Sequence, residues 1–139
     1  WWSEVHVADP SWNLEFQDAV TTAALLKMAQ AGVDTALLWS PQEDALGCAG
    51  CLWSDPAHGP VVATPLSETV AAWTECAPVG SRWADVRSHQ PERLMAAATS
   101  EGVLVVNRSG EDLTFSLDEV EHPLAADGVA AVGDGACQR

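Results

Sequence analysis

Apolar positions recur at helical spacing along residues 14–31 (LEFQDAVTTAALLKMAQA), at Phe16, Ala19, Val20, Ala23, Ala24 and Leu26. The stretch holds no glycine or proline. Acids lie in its early turns, Lys27 lies late, and Gly32 follows as a stop, so it predicts a helix capped by Asn13 or Ser11. Residues 1–7 (WWSEVHV) are aromatic and β-branched and predict a strand. Residues 34–40 (DTALLWS) are short and near-continuously apolar, which predicts a buried strand. Strand, helix and strand in this order make a βαβ unit and imply parallel pairing. Thr64-Pro65 opens a second helix to about Ala77, with Leu66, Val70, Trp73 and Ala77 on its expected core face. Between the second strand and this helix runs a connection, residues 41–63, long enough to suggest a functional loop.

Beyond Gly80 the period shortens. Residues 82–88, 93–100, 102–109 and 112–117 predict short strands separated by turns, and the tail 129–139 adds one more. The pattern is that of an antiparallel meander, hence part of a β-sandwich. Asn107-Arg108-Ser109-Gly110 is turn chemistry: no helix follows to supply a phosphate site.

Composition narrows the function classes. Twenty acidic residues face six basic ones across 139 residues, a net charge of −14. Residues 109–139 hold seven acids and one arginine, a net of −6. Such a surface repels nucleic acid and anionic membranes, and serves either solubility or salt adaptation. No apolar run is long enough to span a membrane. Cys48-Ala49-Gly50-Cys51 is a single CxxC without the second ligand pair a structural zinc site needs. It lies in a long loop rather than at a helix start, as a redox motif would. Free thiols or a local disulfide are the simpler expectation.

Glu4 and Trp39 carry the candidate chemistry. Both lie toward the ends of predicted strands. In a parallel α/β barrel those ends form the active-site face. A carboxylate there can attack an anomeric carbon, and an indole can stack on a pyranose; Trp2 and His6 lie close enough in sequence to line the same subsite. Each residue also has a plainer reading: Glu4 as a solvated rim residue, Trp39 as core, His6 as a packed histidine between valines.

The order of WWSE, DPSWNLEFQDAVTTAALLKMAQAGVDTALLWSP, ATPLSETVAAW and GVLVVNRS resembles the end of a retaining glycoside hydrolase of the large (β/α)8-barrel clan. The nearest resemblance is to its β-xylosidase and α-iduronidase-like family and their arabinofuranosidase and heparanase-like relatives. The resemblance implies an α/β plus all-β fold: the last βα units of a TIM (β/α)8 barrel over residues 1–79, then part of an antiparallel β-sandwich over 80–139. It makes Glu4 the catalytic nucleophile and has Trp39 stack in the subsite that holds the cleaved sugar. The general acid would belong to a missing N-terminal barrel half of the same protein, so this piece alone would be inactive. It implies no metal and no organic cofactor, and it fits extracellular polysaccharide turnover. Residues 6–9 and 41–63 depart from the family pattern. The alternative is a non-catalytic carbohydrate-binding protein that kept the aromatic floor.

Overall fold

A computed structural model describes residues 2–5, 13–38, 51–84, 86–135 and 137–138. Among the described residues seven strands and two helices form, in the order β1 (Trp2–Val5), α1 (Leu14–Gln30), β2 (Ala36–Leu38), α2 (Pro65–Cys76), β3 (Leu94–Ala98), β4 (Gly102–Asn107), β5 (Leu113–Leu117), β6 (Val120–Leu124) and β7 (Val129–Gly133). One turn of 3-10 helix, Pro56–His58, precedes α2.

Both helices start where the side chains allow. The Asn13 carboxamide oxygen accepts from the Phe16 N–H at 2.9 Å, and the Thr64 hydroxyl accepts from the Ser67 N–H at 3.3 Å, with Pro65 at the first helical position. α1 ends at Gly32, whose φ of +80° suits a residue without a Cβ.

β1 and β2 pair in parallel, and among the described residues only with each other, with Trp2 opposite Ala36 and Val5 opposite Leu38. The larger sheet is antiparallel, in the order β3-β4-β7, and β5-β6 form a separate hairpin. The last units of a TIM barrel do not form. The parallel pair has strands of four and three residues, and the helices do not back it with their main apolar face. Instead α1 and α2 lie on the antiparallel sheet. Ala19, Ala23, Leu26, Ala72 and Cys76 pack against Met95, Ala97, Leu104, Val106, Ala131 and Cys137 in one core. Small residues on both helices permit this approach, and burying so much aliphatic surface outweighs what two short parallel strands could offer.

The antiparallel part also differs from a meander. β4 pairs with β7, and β5-β6 leave the sheet between them. Among the described residues of 82–88 no strand forms; Ala84 makes an isolated bridge to Ala98. β6 was not expected, because Pro123 disrupts its strand signature. β5 and β6 are joined through Asp118 and Glu119, both with positive φ (50° and 68°), the conformation of a tight two-residue hairpin turn.

The cysteines join distant elements. Cys76, at the end of α2, is disulfide-bonded to Cys137 across a sequence separation of 61, and Cys51 is disulfide-bonded too. Among the described residues no cysteine is free. Gly102 and Gly133 make room for the Cys137 sulfur: a Cβ on either would come within 2.3 Å and 2.8 Å of it. The disulfide at Cys51 decides against free thiols there, and the long-range Cys76–Cys137 bridge adds a link that the sequence reading did not include. Four cysteines permit three connectivities, and spacing alone does not choose among them.

Candidate functional site

In a parallel pair joined by a helix, the ends of both strands and the start of the helix lie at one edge. Here Glu4 is the penultimate residue of β1, and the pairing of Val5 with Leu38 sets the end of β1 beside the end of β2. Trp39 is the next residue after β2. Trp2 stands at the other end of β1, opposite Ala36. The structure therefore describes the backbone at Glu4 and Trp2. His6 and Trp39 lie outside the described residues, as does the first half of the 41–63 connection.

The described half of that connection is tied back onto the start of α2. Trp53 bridges Ala63, the Asp55 carboxylate accepts from the Ala57 N–H at 2.8 Å, and the Thr64 hydroxyl donates to the Cys51 carbonyl at 2.5 Å. Hydrogen bonds, together with the Cys51 disulfide, hold this end of the connection in shape.

Polar contacts also join the two helices, beside their apolar core. The buried face of α1 carries Gln17, Asp18, Thr21 and Thr22 beside its alanines. The Asp18 carboxylate accepts from the Thr22 hydroxyl at 3.2 Å and from the Thr69 hydroxyl of α2 at 2.9 Å, with Asp18, Thr22 and Thr69 all buried. Two hydroxyl donors offset part of the cost of burying a carboxylate. This clamp joins the first half of α1 to the first half of α2. The apolar periodicity of α1 hides it, since Phe16, Val20 and Ala24 are only half-buried while Gln17 and Asp18 are buried. The available signal was the i, i+4 repeat of Gln17–Thr21 and Asp18–Thr22. On α2 the buried stripe is likewise rotated from expectation, to Leu66, Thr69, Ala72 and Cys76.

Trp73 and Trp83 meet at the far end of the helix pair, with ring centroids 5.4 Å apart and planes tilted by 59°. They border a cleft of about 560 Å³ between the ends of α1 and α2, which β2 also lines. Both indoles pack on the main core. Among the described residues no group of three or more histidine, cysteine or acidic side chains could hold a metal ion, and no helix is long and apolar enough to cross a membrane.

A scan against protein-family models and searches of curated proteins and of solved structures find no match to the chain.

Proposed function

We propose that this chain takes part in cleaving O-glycosidic bonds by double displacement. Glu4 is the nucleophile, and Trp2, His6 and Trp39 line the sugar subsite. One observation carries the reading. The parallel register of β1 and β2 sets the end of the glutamate-bearing strand beside the end of the strand that leads into Trp39. A carboxylate and an indole issuing from adjacent strand ends suit a bound pyranose. The resemblance of WWSE and the segments after it to retaining glycosidases supports the same roles.

A retaining mechanism needs a second carboxyl group about 5 Å from the first, to protonate the leaving oxygen. Asp18 is already engaged between the helices. The proposal assigns the proton donor to a part of the protein outside these 139 residues. Glu4 attacks the anomeric carbon, the donor protonates the departing oxygen, and water then hydrolyses the glycosyl ester with the donor acting as base.

The test is an aryl-glycoside panel on the full gene product, wild type beside Glu4→Ala, with azide added. Loss of turnover in Glu4→Ala, and its recovery as a glycosyl azide of inverted configuration, is the expected result. Equal activity of the two proteins removes Glu4 from the mechanism. Affinity for polysaccharide without turnover of any glycoside would replace the proposal by the non-catalytic binding reading.

A further inference from the structure

A small-molecule site is concave, mostly apolar, and carries a few polar groups that fix the ligand's head. The cleft of about 560 Å³ between the ends of α1 and α2 has that make-up. Leu25 and Met28 of α1, Leu38 of β2 and Val70 of α2 give it aliphatic walls, and Trp73 and Trp83 add two indoles.

The indoles are held in place by the backbone. Trp73 lies in the last turn of α2. Beyond it the Ser81 N–H donates to the Pro78 carbonyl at 2.9 Å, and Gly80, with a φ of +92°, takes the left-handed conformation that the third position of such a turn requires. The turn returns the chain so that Trp83 meets Trp73. The Ala84 N–H, which donates to the Ala98 carbonyl at 2.8 Å, pins the next residue to β3. Both indoles are half-buried, and both border the cleft.

The electrostatics select the head group. Asp34 is the one ionisable side chain among the lining residues, and it is exposed. Among the described residues no hydrogen bond or ion pair engages its carboxylate. Lys27 and Arg82, the basic residues of the two lining segments 25–38 and 70–83, do not line the cleft. Both helices also end here, each bringing the negative end of its dipole, and the last turn of α2 has no basic residue to offset it. Indole faces attract cations as well. Carboxylate, helix ends and indoles therefore favour the same sign of charge.

We propose that this cleft binds a small organic cation with an apolar body, of the arylalkylammonium class. The ammonium sits at Asp34 and the helix ends, and the apolar body lies against the indoles and the aliphatic walls. The inference is independent of any role for Glu4.

The test uses the full chain and three probes that share a phenylethyl body: 2-phenylethylammonium, 2-phenylethanol and 3-phenylpropanoate. Calorimetry reads affinity, and the indole N–H resonances of Trp73 and Trp83, assigned through Trp73→Phe and Trp83→Phe, read location. Expected is saturable binding of the cation that shifts both resonances and weakens as salt rises, with the alcohol and the anion at least tenfold weaker. Asp34→Asn should weaken the cation about fivefold and leave the alcohol unchanged, an outcome that a loss of folding would not give. Glu75→Gln removes an equal charge from an exposed residue of α2 that does not line the cleft, and should change the cation's affinity less than twofold. Absence of saturable cation binding overturns the proposal, as does equal affinity for the three probes. Equal losses in Asp34→Asn and Glu75→Gln also overturn it, because the cation then answers only to the acidity of the chain. Shifts confined to other tryptophans overturn the placement and the proposal with it.

Discussion

The two faces of the β3-β4-β7 sheet are built from similar residues and finished differently. The inner face, with Met95, Ala97, Leu104, Val106 and Ala131, is sealed under two helices and the Cys76–Cys137 bridge. The outer face, with Leu94, Ala96, Val103, Ala130 and Val132, is half-covered by Phe115, Leu117 and Leu124 of one hairpin. The difference teaches that apolar composition sets how much a face needs to bury, whereas its neighbours set how much it does bury. A helix pair covers a broad surface, and a two-stranded ribbon covers a strip and leaves a groove beside it.

The strongest challenge to this comparison is to empty one residue on each face. Leu104 is 1% exposed, so Leu104→Ala should cost about 2–5 kcal/mol in urea unfolding, the range for a buried leucine. Leu117→Ala on the hairpin, only half-buried, should cost about 1 kcal/mol. Equal losses would mean that the outer face is sealed as well as the inner.

The disulfide gives the next largest effect. Replacing Cys76 and Cys137 together by alanine should lower stability by roughly 2–4 kcal/mol, because the bridge closes a long loop in the unfolded chain. Melting under reducing and oxidising conditions measures it; coincident curves would show that the helices seal the inner face without the bridge.

Asn107 tests how the hairpin is anchored. Fully buried, it donates to the Glu111 carbonyl at 2.8 Å and the Ala125 carbonyl at 2.7 Å, and accepts from the Ser109 N–H at 2.9 Å. It thus ties the turn that leaves β4 to the turn that enters β7. Asn107→Ala strands these groups and should cost about 1–3 kcal/mol. Amide exchange should then rise in β5 and β6 before it rises in β3; uniform exchange would show that the hairpin does not open separately.

Asp127 offers the smallest effect. Partial burial raises its carboxyl above the ordinary aspartate range, so the folded state favours the protonated form relative to the unfolded state. The contribution is fully present below the unfolded pKa and is lost as pH rises through the folded one. Asp127→Asn, which also suits the positive φ of 51°, should stabilise the chain at neutral pH by a few tenths of a kcal/mol, solvent screening keeping the gain small. The gain should vanish in acid; a gain that persists there would be conformational rather than electrostatic.

Much of the secondary structure was legible. α1 runs Leu14–Gln30 and α2 runs Pro65–Cys76, each within a residue of the pattern-based expectation at either end, because caps, periodicity and stop signals are local. β6 was not legible, because Pro123 reads as a strand breaker unless one knows that it faces an open edge. The Asp18–Thr69 clamp was hidden because its partners lie 51 residues apart. For the candidate site, the sequence supplied Glu4, Trp2, His6 and Trp39, while the structure adds the register that sets the ends of β1 and β2 together.

The sequence by itself determined where the chain turns helical or extended. It also determined that β3, β4 and β7 need cover on both faces, since LMAAA, the GVLVV of β4 and VAAVG are apolar without a break. Only the tertiary structure decided what covers them. The same helix faces could have backed a parallel sheet; they lie on an antiparallel one because long-range burial and a disulfide link across 61 residues favour that partner. Periodicity states that a face must be buried, and it carries no information about which distant surface will do the burying.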